Sequence, residues 1–385
     1  MGAAIILFYF LFPAVILILS TKYTLIHRIG VVVICYIGGL ILGNTGIIPD
    51  SISGFQGDLM GAAILLGIPL VLFSENVFKW IKMAKYTFIS LMLGILSVVI
   101  MVLLGYVLLK DRIPEIWKIS GMLIGVYTGG TPNLAAIAQG LNVNEELYIL
   151  THTVDLAVGA VVLLFLITGA QRFFSLYLRP YKSNGNYTGE EGEKTLDEFE
   201  SYRGFFARET VGDLLKSLVI SILIFGAGFG MTFLFKGETK DTAAILTVTT
   251  LGILLSMIPK VNKLKKSFQL GMYFIYVFCV VVASKADLRE IFRPDSWQLL
   301  WNITLYIILA IPGSLMLHSL LSRIFKINVD DFIMTSTALS NSPPFVPVVA
   351  AALKNKEVMV PGMIIGVIGY AIGNYLGVAI AYLLK

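Results

Sequence analysis

Long apolar segments alternate with short polar ones along almost the whole chain. Apolar runs of about 17–25 residues predict helices that span a membrane, and six such segments lie on each side of one hydrophilic stretch. They cover residues 3–20, 31–43 with its flanks, 59–74, 88–109, 119–141, 149–169, 214–235, 243–258, 268–284, 299–321, 332–353 and 358–384. The pattern predicts an all-α polytopic membrane protein.

The two groups of segments resemble each other. Gly-Leu-Ile-Leu-Gly at 39–43 resembles Gly-Ile-Leu-Leu-Ser at 252–256, and residues 61–74 resemble residues 271–284. An interrupted apolar segment follows in each group, and after it comes a helix with one polar residue, Asp155 or Asn374. Four matches in the same order at nearly constant spacing indicate an internal duplication.

A hydrophilic stretch separates the two copies and is the one candidate domain boundary. Its acidic run at 190–200 is typical of a solvated loop or a short surface helix. We therefore divide the chain into a first repeat, 1–170, a cytoplasmic linker, 171–212, and a second repeat, 213–385.

Composition fits a protein embedded in a membrane. Charged residues make up 14% of the chain and hydrophobic residues 57%, whereas a soluble globular chain has about 25% charged residues. The net charge of +5 comes from basic residues scattered through loops, so it bears on topology and does not suggest nucleic-acid binding. Cys35 and Cys279 lie in apolar runs and are expected to be buried thiols. The sequence has no hydrolase, nucleotide-binding or metal-centre motif, so we expect neither an enzyme nor a cofactor.

The placement of Lys and Arg predicts the orientation of the repeats. If all twelve segments spanned the membrane, Lys260, Lys263, Lys265 and Lys266 would face outside, against the positive-inside rule. If segments 119–141 and 332–353 are instead re-entrant, most basic residues lie inside. Each repeat then has five transmembrane helices, and the second repeat is inverted. We expect extracytoplasmic termini and the cell inner (plasma) membrane. A tightly bent crossing helix in place of each re-entrant segment is the open alternative.

The first interruption consists of Gly129, Gly130, Thr131, Pro132 and Asn133. Glycine permits non-helical dihedral angles, and proline removes a backbone donor. Two half-helices would meet within the membrane, where N–H ends suit an anionic group of a substrate. Carbonyl ends, together with the oxygens of Thr131 and Asn133, suit Na⁺. We predict substrate binding by all five residues; the simpler alternative is a kink that only shapes packing.

The second interruption consists of Ser340, Asn341, Ser342, Pro343 and Pro344, for which we predict the same role. Broken helices in matching positions of two halves point to the binding site of a transporter. Thr335 and Ser336 precede this interruption. Their hydroxyls could line a path, although bonds to carbonyls one turn earlier are the simpler interpretation.

Asp155 is the one carboxylate well inside an apolar segment. A charge near the bilayer centre costs about 2.5–3.5 kcal/mol on insertion scales, so such a residue needs a partner and points to function. Asp155 either coordinates Na⁺ or takes up a proton. Its counterpart Asn374 cannot titrate, which favours ion coordination. The predicted sodium ligands are Asp155, Asn133, Thr131 and Asn374. His152 could relay a proton, but a histidine there is more typical of an interfacial or hydrogen-bonded residue.

The stretch Gly-Gly-Thr-Pro-Asn-Leu-Ala-Ala-Ile-Ala at 129–138, together with Ser342, Pro343, Pro344 and the C-terminal helix rich in glycine, carries a family resemblance. Over essentially its whole length the chain resembles the YjcL-like membrane proteins, a family of unknown function in bacteria and plants. That family is similar in plan to the glutamate:sodium symporters and, more distantly, to bile-acid:sodium symporters and cation:proton antiporters. The resemblance implies a core domain that contains both interruptions and moves against a scaffold domain, often in a homodimer. It implies no substrate.

These features predict a secondary active transporter that couples Na⁺ to a small organic, anionic solute by alternating access. The expected partners are the solute, the coupling ion and membrane lipid. Two alternatives stay open. A Na⁺/H⁺ antiporter would be expected to have a pair of titrating carboxylates, and a non-transporting receptor or scaffold would leave both interruptions unexplained.

Overall fold

The computed structural model is helical in the part of the chain that it describes. That part comprises residues 2–23, 26, 30–74, 85–182, 202, 204–205, 207–235, 239–285, 297–341 and 345–385. Within these ranges helices and turns are accompanied by one isolated parallel bridge, between Arg179 and Asn328. The predicted all-α class is confirmed.

Helix boundaries follow the apolar segments closely. The helices of the first half are α1 (Gly2–Lys22), α2 (Val31–Gly43), α3 (Ser53–Phe73), α4 (Lys85–Leu109), α5 (Ile116–Gly129), α6 (Thr131–Gly140), α7 (Glu145–Thr168) and α8 (Ala170–Phe174). Those of the second half are α9 (Arg208–Leu234), α10 (Thr239–Ser256), α11 (Pro259–Asn262), α12 (Ser267–Ser284), α13 (Trp297–Ile308), α14 (Ser314–Ile324), α15 (Val329–Ser340), α16 (Val346–Ala352) and α17 (Met359–Leu384). A π-helical turn, Leu309–Gly313, joins α13 to α14.

Eight of the described helices are long and apolar enough to cross a membrane. They are α1, α3, α4, α7, α9, α12, the stretch Trp297–Ile324 and α17. The apolar helix α2 has 13 residues and is shorter than the eight. These helices make the chain a multi-pass membrane protein, as predicted.

The predicted segment 119–141 is two helices. α5 has 14 residues and α6 has 10, which at 1.5 Å per residue gives about 21 Å and about 15 Å, each short of a hydrocarbon core of about 30 Å. The predicted segment 332–353 similarly contains α15, which ends at Ser340, and α16, which begins at Val346. Ser342, Pro343 and Pro344 lie outside the described residues.

The chain groups into two compact units, and each takes helices from both halves of the sequence. The first unit is Met1–Ser74, Gln139–His152 and Tyr202–Leu300; the second is Glu75–Ala138, Thr153–Ser201 and Trp301–Lys385. Both interruptions belong to the second unit. The boundaries drawn at 170 and 213 concern duplication and not packing, so they stay a prediction. Half of the predicted linker, including residues 183–201, lies outside the described residues.

Glycines and a buried polar network shape the first unit. A side chain at Gly39 of α2 would collide with the Val280 carbonyl of α12, and small residues at such positions let membrane helices approach closely. Gln56 Nε2 donates to Tyr9 Oη at 2.7 Å and to Ser284 Oγ at 3.1 Å. The buried amide of α3 is thereby satisfied by α1 and α12.

In the second unit, α5 and α17 lie against each other along two rows of glycines. The rows repeat every four residues and consist of Gly121, Gly125 and Gly129 on α5 and Gly369, Gly373 and Gly377 on α17. A Cβ atom at any of the last three would collide with α5 or with a side chain of α6. The glycines therefore set the short distance between the two helices.

Candidate functional site

The first interruption is a sharp break at Gly130. This residue has φ 75° and ψ −167°, a conformation that glycine adopts without steric cost. The Gly130 N–H still donates to the Val126 carbonyl at 2.7 Å, and the Gly130 carbonyl accepts from Asn133 N–H at 3.1 Å. Pro132 falls in the first turn of α6, where its missing donor costs nothing. The predicted break is therefore present, and one residue separates the two half-helices.

Asn133 lies in a slot that glycines form where the break meets α17. Its Nδ2 donates to the Gly369 carbonyl at 3.1 Å, and the side chain is 2% exposed. A Cβ atom at Gly129 or Gly373 would collide with the same amide nitrogen. Gly129 and Asn133 of the interruption therefore lie next to Gly369 and Gly373 of α17. The backbone of α17 fixes the orientation of the Asn133 amide.

Asp155 is buried in the second unit and has a defined partner. Its Oδ1 accepts a hydrogen bond from Tyr127 Oη at 2.8 Å. Tyr127 is in the last turn of α5, three residues before the break at Gly130. The carboxylate that the sequence singled out is therefore tied to the end of the first half-helix.

The remaining residues that the sequence singled out for binding Na⁺ or relaying a proton are Thr131, Asn374 and His152. Thr131 is the partly buried first residue of α6, and Asn374 is fully buried on α17, directly after Gly373. His152 is fully buried between the rings of Tyr36 and Tyr148, with centroids 4.7 and 5.5 Å away. Within the described part of the chain its Nε2 has no hydrogen-bond partner. His152 is therefore covered by protein groups on the described helices.

The second interruption begins where the sequence predicts. The Asn341 N–H donates to the Thr337 carbonyl at 2.9 Å, and this bond closes α15. Ser340 Oγ donates to the Ser336 carbonyl at 2.7 Å and accepts from Asn341 Nδ2 at 2.8 Å. The first of these is the kind of bond, to a carbonyl one turn earlier, that the simpler interpretation predicted for Thr335 and Ser336. Thr335 and Ser336 instead reach groups on other helices.

A buried cluster around His318 joins α4, α14 and α15. The Nδ1 atom of His318 lies 3.0 Å from Ser336 Oγ, and its Nε2 lies 3.4 Å from Ser90 Oγ. Ser90 Oγ donates in turn to Thr335 Oγ1 at 2.8 Å. Sequence reasoning missed this cluster. Pro312, which lies in an apolar segment six residues before His318, is the sequence signal that could have drawn attention to it.

A small cavity lies between Tyr127 and the hydroxyl groups of α15. Its volume is about 20 Å³, enough for one water molecule or one small ion and too small for an organic solute. The last turn of α5 and the last turn of α15 both contribute residues to its wall. The lining residues are Gly94, Val98, Tyr127, Val162, Ile311, Ser314, Leu315, His318, Ser336, Leu339 and Ser340.

Comparison with known proteins gives a family and one relative. The family model described as "Protein of unknown function (DUF819)" matches residues 7–385. The chain is also similar to the "Uncharacterized membrane protein YjcL" of Bacillus subtilis (strain 168). The two are 26% identical over 353 residues, which are 90% of this chain and 87% of that protein. The resemblance to YjcL-like membrane proteins is confirmed, and neither name implies an activity or a site residue.

Proposed function

The chain belongs to the DUF819 family of proteins of unknown function, and from that premise we propose that it is a cation-coupled secondary transporter. The feature that carries the proposal is the break at Gly130, beside the buried polar groups of Asn133 and Asp155. Interrupted backbone inside a membrane is tolerated where it lines a cavity or is buried in protein. Transporters use such breaks to bind substrates and coupling ions.

The coupling ion in this proposal is Na⁺. Its ligands would be oxygens of Asp155 on α7, of Asn133 and Thr131 on α6, and of Asn374 on α17, all in the second unit. Asn133 uses its amide nitrogen to bond the Gly369 carbonyl, so the amide oxygen is the atom that it would offer to a cation. A proton on Asp155 is the second candidate for coupling, because Asp155 is a buried carboxyl group tied to the last turn of α5; the hydrogen bond from Tyr127 itself stabilises the ionised form.

The proposed cargo is a small organic anion. The N-terminal end of α6 begins directly at the break, and helix N-termini attract anionic groups through their free N–H groups. Gly129, Gly130, Thr131, Pro132 and Asn133 would bind the solute from this side. The residues from Ser340 to Pro344 would bind it from the second interruption. The present cavity holds a water-sized particle, and in this proposal the solute site opens during alternating access.

Inverted repeats and a moving core are part of the same proposal. Both interruptions belong to one compact unit, and each unit takes helices from both halves of the chain. This distribution supports a core unit with the binding site and a separate scaffold unit. The homodimer, the inner-membrane location and the extracytoplasmic termini are proposed with it, as are the absence of a chemical reaction and of a cofactor.

The ion part is tested by the melting temperature of the purified full chain in detergent. Na⁺ is exchanged for K⁺ or choline at constant ionic strength, because an ion that binds the folded state raises apparent stability by mass action. We expect a rise specific to Na⁺ that is lost in Asp155→Asn and Asn133→Ala. Asp330→Asn and Asn302→Ala are matched controls, since both parent residues are buried in the same unit. Equal Na⁺ responses in all four variants would exclude the assigned ligands, and a response to pH alone would indicate proton coupling.

The transport part is tested in liposomes that contain the full chain. Pools of labelled small carboxylates and amino acids are offered outside, with and without an inward Na⁺ gradient. Uptake that requires the gradient and is lost in Asp155→Asn is the expected result. Na⁺ binding without uptake of any pool would favour a receptor or scaffold.

A further inference from the structure

The cavity next to Tyr127 is lined by hydroxyl residues whose hydrogens are already used. Tyr127 Oη donates to Asp155, and Ser314 Oγ donates at 2.9 Å to a carbonyl of the turn before it. Ser340 Oγ also donates to a carbonyl, and Asn341 takes one of its lone pairs. A hydroxyl has one hydrogen and two lone pairs. What these three oxygens can still offer a ligand is therefore lone pairs, which suit a cation.

The hydrogen bonds of His318 leave a fourth hydroxyl group, that of Ser336, with only lone pairs to offer a ligand. Because Ser90 Oγ donates its hydrogen to Thr335 Oγ1, it can only accept from His318 Nε2. A neutral ring with its hydrogen on Nε2 has an acceptor at Nδ1, so Ser336 Oγ donates there over 3.0 Å. This hydrogen-bond network assigns the tautomer. Ser336, which also lines the cavity, then has only lone pairs left.

Two helix ends add negative potential at the same place. α5 ends two residues after Tyr127, and α15 ends at Ser340 itself. The carbonyl end of a helix carries about half a negative charge, and the C-terminal ends of broken helices hold Na⁺ or H⁺ in transporters. The Asp155 carboxylate lies one hydrogen bond behind Tyr127. The π-helical turn Leu309–Gly313 lies directly before Ser314, and such turns are frequent at functional sites.

We propose that this cavity is a binding site for one monovalent cation such as Na⁺. The volume of about 20 Å³ admits one particle of the size of a water molecule, so a single ion fits. The ligands would be the hydroxyl oxygens of Tyr127, Ser314, Ser336 and Ser340. None of these is among the sodium ligands predicted from the sequence, so this is a second ion position. It goes beyond the proposed function, because a cation bound here requires no transport cycle.

The test is a titration of the purified full chain with NaCl against choline chloride, read as melting temperature and as binding of radioactive Na⁺. Ser314→Ala and Ser340→Ala remove one oxygen each and should weaken the apparent Na⁺ affinity by about tenfold, the effect of losing one hydrogen-bond-strength contact to a charge. Ser322→Ala is the matched control, since Ser322 is a fully buried serine on the same helix as Ser314 and does not line the cavity.

A second variant fills the cavity and leaves every oxygen in place. A Cβ atom at Gly94 would lie 2.7 Å from Leu339 Cδ1 and 3.4 Å from His318 Cε1, so Gly94→Ala pushes a flexible leucine end against the cavity. We expect it to lose the Na⁺ response. Gly159→Ala, with nothing within 4 Å of the new methyl group, should retain it.

The outcomes separate this site from the proposed function. Loss of Na⁺ binding in Ser314→Ala, Ser340→Ala and Gly94→Ala, with no uptake in liposomes, would leave the cation site standing and overturn the transporter. Parent-like Na⁺ binding in these three variants would overturn the site, even if uptake driven by Na⁺ were measured. A parent chain without any Na⁺ response would overturn it as well.

Discussion

Tyr127 and Asp155 form the buried pair on which the candidate site depends. Replacement of Tyr127 by Phe removes the one hydroxyl that donates to Asp155, so a buried carboxyl loses its partner. A hydrogen bond to a charged group contributes about 1.5–3 kcal/mol, more than one to a neutral group. We expect Tyr127→Phe to lower the melting temperature clearly more than Tyr273→Phe. The latter loses a part-buried bond of 2.7 Å to the Phe10 carbonyl. The reverse order would contradict a buried, polar role for this pair.

Single polar residues in apolar segments could be recognised from the sequence, but their partners could not. Asp155 and Asn133 stand out because a polar group in the membrane needs a reason to be there. His318 stood out less, although it forms the larger cluster. Its partner Ser90 is 228 positions away, and Ser90 bonds Thr335 at a separation of 245. Which buried hydroxyls face one imidazole depends on how α4, α14 and α15 pack, and no local pattern encodes that.

At the scale of elements, the contact between α5 and α17 depends on the absence of a side chain at Gly373. A Cβ atom there would collide with Asn133 Nδ2 and Thr128 Oγ1. Overpacking of this kind costs about 1–3 kcal/mol, so Gly373→Ala should lower the melting temperature and weaken the Na⁺ response through Asn133. Gly226→Ala is the control, because its methyl group would meet nothing within 4 Å and alanine favours a helix by about 1 kcal/mol. Equal effects of the two substitutions would show that α5 and α17 do not need this close approach.

Asp330 connects its own helix, α15, to α8 and to the loop after α16 in the second unit. It is 4% exposed and accepts from Gln171 Nε2 at 3.0 Å and from Asn355 Nδ2 at 2.8 Å. Asp330→Ala leaves both amides without this acceptor, which should cost about 1–3 kcal/mol for each one that stays buried. Thermal unfolding of Asp330→Ala and of the exposed Asp111→Ala should therefore differ by several degrees. Similar midpoints would mean that water replaces the carboxylate.

Element boundaries were predictable because hydrophobicity decides them, and element irregularities were predictable only in part. The break at Gly130 follows from adjacent glycines and a proline, whose backbone preferences are local. The π-helical turn at Leu309–Gly313 was not predicted. Pro312 alone permits a kink, a helix end or a π turn, and packing selects among them.

At the scale of the whole molecule, duplication and packing divide the chain differently. The sequence pairs α2 with α10 through Gly39 and Gly252, whereas the compact units combine segments from both halves. The duplication is visible in the sequence because the two copies follow each other along the chain. The sequence does not show which helices of the two copies pack together, since that depends on contacts between residues far apart in sequence.

The orientation of the chain gives the last prediction. The positive-inside rule places the segment 171–212 in the cytoplasm and both termini outside. Lys182 and Lys385 are exposed, and the two native cysteines, Cys35 and Cys279, are fully buried, so single introduced cysteines should report on each side. A membrane-impermeant maleimide should label Lys385→Cys in intact cells and Lys182→Cys only after the membrane is permeabilised. The parent chain, with its buried thiols, is the background control. Labelling of Lys182→Cys in intact cells would contradict this orientation and indicate the inverted topology.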